Sequence, residues 1–277
     1  MTGIGLITVV AMVMVVAGCG DETDDDGGSA GTASGEMILA TTTSTVDSGL
    51  LDTLLPAYEK TSDCSVKALG VGSGEALELG SQGNADVLLS HSPDAEEEFM
   101  AIGDGSRRDA VMHNDFVLVG PPDDPADVAG SAAAADAMAR IAATGSTFVS
   151  RADESGTNTR ELDLWAEAGV TPGGDWYQET GQGMGETLTI TSQLQGYTLS
   201  DRATYLSTDG LNLDVLTEGS KDLLNFYHVI VVDHPGTNLA CAEEFADWLL
   251  SLPTQQLIGD FGLKEFGRPL FVPDAKP

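Results

Sequence analysis

From Glu36 onward, short apolar runs of strand length alternate with segments of helical spacing, and this restricts the chain to a sheet with helices packed on both faces, an α/β fold. Residues 37–40, 65–71, 86–90 and 115–120 read as strands. Helical spacing covers 50–58, a short stretch around Leu77, and a segment that begins at Ala95. A second series follows: an Ala-rich helix from Ala132, a strand over 146–150, and helices over 158–168 and 186–195. The most apolar strand is 227–232, and the last helix, 239–250, sets an acidic face opposite Phe245, Trp248 and Leu249. Two strands bounded by Pro or Gly, near 115–121 and 227–235, are natural crossings between lobes. They divide the chain into a first lobe, 36–118 plus 230–277, and a second lobe, 119–229. Ligands of such folds sit beyond the carboxyl ends of strands, in the cleft between halves.

Three strand-to-helix junctions carry the chemistry. Thr41 to Thr45 is an unbroken run of hydroxyl residues placed where a helix begins. Side-chain donors beside the free N–H groups of a helix start favour an anion without any formal positive charge. The segment Gly70-Val71-Gly72-Ser73-Gly74 repeats the arrangement after the next strand, with glycines that allow close backbone approach. The third junction, Ser150 to Thr157, adds Arg151, whose guanidinium is a fixed fork of donors suited to oxoanions. Asp153 and Glu154 beside it also allow a plain ion pair. Gly181 to Gly185 lacks the Lys of a phosphate loop and reads as a tight turn.

A tetrahedral dianion with four acceptor oxygens needs donors only, which these junctions supply. Hydrogen phosphate also wants an acceptor, and Asp153 is the candidate. His91, His113, His228 and His234 are scattered, with no Ser or Cys at nucleophile spacing, so structural roles are expected and the chain reads as no enzyme. A hydrolase in an acidic cleft and a purely structural surface lipoprotein are the alternatives from other classes. The first lacks a poised base or metal site, and the second would not need three donor clusters.

With 44 Asp plus Glu against 12 Lys plus Arg, the formal net charge is −32. Such a chain repels nucleic acid and anionic lipid at low salt. It suits molar salt, where the Debye length is about 3 Å, and a haloarchaeal type of source is expected. Arg151 and Arg202 stand out because basic residues are scarce.

Residues 4–16 form an apolar run too short for a membrane span and typical of a signal segment. It ends in Val16-Ala17-Gly18-Cys19, which resembles the lipobox of secreted lipoproteins, with lipid carried on Cys19; no Lys or Arg precedes the run. Residues 1–19 then read as a signal peptide and 20–35, small and acidic, as a tether between the membrane and the domain. Cys64 and Cys241 could pair in an extracytoplasmic compartment or stay as two buried thiols.

The same junctions carry a resemblance. TTTST at 41–45, GVGSGEAL at 70–77 and ADVLLSHSPDAEEEF at 85–99 resemble tungstate-binding proteins of the Tup type, the substrate-binding components of tungstate ABC importers. RRDAVMHNDFVLVGPPDDPA at 107–126, FVSRADESGTNTRELDLW at 148–165 and WYQETGQGMGETL at 176–188 continue it. So do YTLSDRATYL at 197–206, YHVIVV at 227–232 and FGRPLFVPDA at 266–275. The resemblance implies a two-lobed periplasmic-binding-protein fold of type II that closes on its ligand. It implies that Thr42, Thr43, Ser73, Arg151 and Thr157 surround the oxoanion, with Ser44, Ser90 and Ser155 as further donors. Ala152 departs from the family's SRGD pattern, Asn158 stands where His is common, and Ser92 where Ala is common. Also implied are a monomer anchored to the outer face of the cell membrane, an ABC permease and ATPase as partners, no cofactor and no metal ligated by side chains. The ligand is tungstate, with molybdate, sulfate or phosphate as alternatives.

Overall fold

The computed structural model describes residues 33–275, so the signal segment, Cys19 and most of the tether lie outside the described residues. The first lobe opens with β1 (Ser34–Thr42), α1 (Thr43–Asp47), α2 (Leu50–Glu59), β2 (Asp63–Val71), α3 (Ser73–Ser81), β3 (Val87–Ser90) and α4 (Pro93–Ile102). The strand β4 (Gly105–Gly120) then leaves it. The second lobe contains α5 (Ala134–Thr144), β5 (Phe148–Ser150), α6 (Gly156–Glu167), β6 (Tyr177–Glu179), α7 (Met184–Leu194), β7 (Thr198–Asp201), α8 (Arg202–Ser207) and β8 (Asp214–Thr217). The chain returns through β9 (Leu224–Val232) and ends with α9 (Leu239–Leu250), α10 (Leu252–Asp260), α11 (Leu263–Phe266) and β10 (Val272–Pro273).

The main sheet runs β10-β4-β9-β3-β1-β2, with β1 parallel to β2 and β3 while β9 is antiparallel to β3 and β4. β3 and the C-terminal halves of β1 and β9 are apolar on both faces because both are covered. Successive side chains point to opposite faces. Met37 and Leu39 of β1, Val87 and Leu89 of β3, and Tyr227, Val229 and Val231 of β9 therefore share one core with α2 and α9. Ala40, Leu88, Ile230 and Val232 share the opposite core with α3 and Phe99 of α4. Cys64 of β2 and Cys241 of α9 form a disulfide, Cα atoms 5.9 Å apart and 177 residues apart in sequence.

One strand builds both lobes. Residues 105–115 of β4 pair with β9, and from Phe116 the same strand pairs with β7 and β8. There Phe116 and Leu118 join a core with Phe148, Trp165, Tyr197 and Leu199, and Val117 and Val119 join one with Met184 and Leu188. β5 and β6 form a parallel pair beside them.

Three boundaries differ from the sequence reading. β4 starts at Gly105 rather than near 115; Arg107, within its charged stretch, is tied to Asp109, Glu243 and Asp247. β9 joins the first-lobe sheet at Leu224, ahead of position 230, because backbone pairing with Asp115 does not depend on the polar Asn225. Ser34 and Gly35, read as tether, are the start of β1, paired with Asp63 and Cys64.

Candidate functional site

The ends of β1, β2, β3, β5 and β7 lead into the elements that carry the site. At the first junction Thr42 caps α1: its hydroxyl accepts from the Thr45 N–H at 3.4 Å and lies 3.1 Å from Ser44 Oγ and 2.7 Å from Thr45 Oγ1. Thr43 is half-buried over Gly70. Thr41, though in the hydroxyl run, donates to the Leu89 carbonyl at 2.7 Å and serves the sheet. At the second junction Ser73 opens α3, and at the end of β3 stands Ser90; both hydroxyls are buried with no hydrogen-bond partner among the described residues. Burying a hydroxyl without a partner costs roughly 1–3 kcal/mol, so such pairs of free donors are what a bound anion would engage.

Arg151 is only 3% exposed. Asp153 Oδ2 takes bonds from its Nε at 3.1 Å and Nη2 at 2.5 Å, leaving Nη1 toward Thr157 Oγ1 at 3.5 Å. The ion pair is thus real, but it is buried and aims the guanidinium rather than decorating a surface. The other oxygen of Asp153 accepts from Ser155, N–H at 3.3 Å and hydroxyl at 2.6 Å. Asp153 therefore has no oxygen to spare as an acceptor for a protonated anion, correcting the sequence expectation. The Ser155 hydroxyl is likewise occupied, since it also caps α6 by accepting from the Asn158 N–H. Ala152 and Glu154 hold positive φ of 49° and 58°, a conformation L residues rarely adopt.

Several site residues gave no signal of their own. His91 is buried against the Tyr227 ring, centroids 4.8 Å apart, with Nε2 3.1 Å from Thr42 Oγ1 and 3.4 Å from Ser44 Oγ. Burial lowers its pKa to about 4, so at neutral pH it is an uncharged wall of the site. The other three histidines face Asp274, Glu96 and the Pro235 carbonyl. Glu161 is buried under the third junction, where it receives bonds from Ser150, Trp165 and Tyr177, and burial raises its pKa. Asp201, buried at the end of β7, has its pKa raised by burial against the opposing pull of Arg151. Arg202, singled out by scarcity, is committed to Asp115 and Glu218 at the crossing.

Gly156, first residue of α6, is the point where the lobes meet. A Cβ there would overlap the His91 ring, 2.8 Å from Nδ1 and closer still to Cε1, and lie 3.1 Å from Ser73 Oγ. The junctions of β2 and β3 in one lobe and β5 in the other are therefore in contact. Beside them a cavity of about 550 Å³ is lined by Ser73, His91 and Asp94 of the first lobe and by Gly156, Thr159 and Arg160 of the second. Among the described residues there is no cluster of His, Cys, Asp and Glu that could hold a metal ion, and no helix long and apolar enough to cross a membrane.

Two lobes joined by crossing strands, with buried donors at facing strand ends, are the architecture of a solute-binding protein. The family model of the PBP superfamily domain matches residues 27–252. Tungstate-binding protein TupA of Peptoclostridium acidaminophilum is 45% identical over 98% of each chain. The solved structure of TupA from Desulfovibrio alaskensis G20 superimposes with a TM-score of 0.76 at 40% identity, covering 87% of this chain and 99% of that one. The tungstate ABC transporter structure from Geobacter sulfurreducens gives 0.75 at 43% identity, covering 82% and 98%. The chain belongs to the TupA family of tungstate-binding proteins within the PBP superfamily.

Proposed function

We propose that this protein is the extracytoplasmic substrate-binding component of an ABC importer, and that it captures tungstate between its lobes and delivers it to a permease and ATPase. The observation that carries the reading is Arg151, nearly fully buried and aimed by Asp153, in a lobe whose facing partner supplies the free hydroxyls of Ser73 and Ser90. An always-charged fork facing neutral hydroxyl donors suits a tetrahedral dianion. Thr42, Ser44, Thr157 and His91 complete the donor set, and Thr43 lies beside it. Cys19 carries the lipid that tethers a monomer to the outer face of the membrane, and the −32 charge adapts it to molar salt. Molybdate shares charge and nearly shares radius, so no residue type separates the two anions.

Calorimetric titration in molar KCl tests this with tungstate, molybdate, sulfate and phosphate. Tungstate should bind tightly and sulfate weakly, while Arg151→Ala should weaken tungstate by about 3 kcal/mol, roughly a hundredfold. Arg151→Lys, which keeps the charge but not the fork, should fall between. Equal molybdate binding would widen the substrate, and a folded protein that binds none of the four anions would sink the reading.

A further inference from the structure

Asp201 ends β7 and caps α8, 2% exposed. Its Oδ1 accepts from the Thr204 N–H at 2.8 Å and the Thr204 hydroxyl at 2.9 Å. Its Oδ2 is buried with no hydrogen-bond partner among the described residues. Asp153, by contrast, has both oxygens engaged. The groups that face Asp201 come from three directions. Arg151, on the loop after β5, is near enough for its charge to act on the carboxyl, and Tyr227 of β9 feels the carboxyl's charge in turn. From β4 the registered neighbour is Phe116, which is apolar. The adjacent Arg202 is turned to Asp115 and Glu218, and the Tyr227 hydroxyl accepts from Asn225 at 3.2 Å and Asn114 at 3.4 Å.

An ionised carboxylate here shares one arginine with Asp153 and with the incoming dianion. One positive charge against two carboxylates and a dianion is a buried excess of negative charge, which a low-dielectric site does not tolerate. A proton on Oδ2 removes one of those charges and turns an orphan acceptor into a donor. We propose that Asp201 makes oxoanion capture proton-coupled: its free oxygen holds one solvent-derived proton when the dianion is bound and donates it in a hydrogen bond to an anion oxygen. No other bond is made or broken. Burial already favours the protonated carboxyl more than Arg151 opposes it, and the dianion adds to that preference. The inference rests on the oxoanion reading above.

The sign follows from linkage. The complex binds more protons than the free protein where free Asp201 is ionised and bound Asp201 is protonated; in that window affinity strengthens as pH falls and weakens as pH rises, by up to about tenfold per pH unit. His91 is the rival carrier, being neutral, buried and also in the site. Tungstate is titrated into the protein in molar KCl across the neutral to alkaline range, in buffers of different ionisation enthalpy. Wild type should take up one proton per anion where affinity depends on pH. Asp201→Asn should lose both the uptake and the slope, whatever its affinity, and His91→Asn should keep the slope. Should Asp201→Asn misfold, infrared difference spectra of wild type read the same point, as a protonated-carboxyl C=O band that grows when tungstate is added. Flat affinity in wild type, a slope that survives in Asp201→Asn or vanishes in His91→Asn, or an absent carboxyl band overturns the proposal. Wild type that binds no oxoanion overturns the importer reading as well, whereas tight, pH-independent binding overturns only this one.

Discussion

The two lobes bring different chemistry to the proposed site. The first is a broad sheet with a helix-covered core on each face, closed by the Cys64–Cys241 disulfide. What it presents is neutral: the hydroxyls of Thr42, Ser44, Ser73 and Ser90, and a histidine kept uncharged by burial. The second lobe stands on short strands and presents charge, with Arg151 and Asp153 on a loop that includes positive-φ residues, and Glu161 and Asp201 buried in the same lobe. Neutral donors need only a rigid strand end to be useful. A buried charge must also be paired and bonded, and the second lobe commits Asp153, Ser155 and Thr157 to that task. Rigidity and charge are thus divided between the lobes.

The largest expected effect tests the rigid half. Replacing Cys64 and Cys241 with Ser should cost about 2–5 kcal/mol of stability in chemical denaturation while a folded sample still binds tungstate; lost affinity in folded protein would show that the frame also tunes the site. Next comes His91. Its ordinary pKa of 6.5 falls to about 4 on folding, so the unfolded chain gains a proton that the folded one refuses. Its contribution is therefore intact above pH 6.5 and is lost as pH falls toward 4, by at most about 3 kcal/mol. Melts of His91→Asn should be flatter than wild type in that window, and parallel curves would remove His91 from the account. Gly156→Ala probes the seam between the lobes. Crowding His91 and Ser73 should weaken tungstate by about 2 kcal/mol with the melting temperature little changed; unaltered affinity would mean the lobes do not need this contact. The smallest effect lies on the charged loop, where Ala152→Gly should stabilise by about 0.5–1 kcal/mol by relieving the φ of 49°. A loss of stability there would show that the loop's order, not its strain, dominates.

Much of the frame was legible because strand and helix periods are local. The runs at 37–40, 86–90 and 227–232 are strands, and 239–250 is a helix, since burial on both faces or one leaves a pattern within a few residues. β7, α8 and the C-terminal α10 were not seen, because elements this short or this polar leave no period. At the site, Ser73 and Arg151 announced themselves through hydroxyl and glycine clusters and the scarcity of arginine. His91 and Asp201 did not, since neither stands in a motif.

Local pattern thus set the elements, and composition set the net charge of −32, because both depend on neighbours in sequence or on simple charge count. Distant neighbours decided the rest. Cys64 and Cys241 pair because α9 packs on the sheet whose edge strand is β2. Asp153 is spent on Arg151 while Asp201 is left with a free oxygen, and His91 is neutral because the fold excludes water around it. Burial and partner availability are properties of the packed chain, so the charge state of this site could be known only once the lobes had come together.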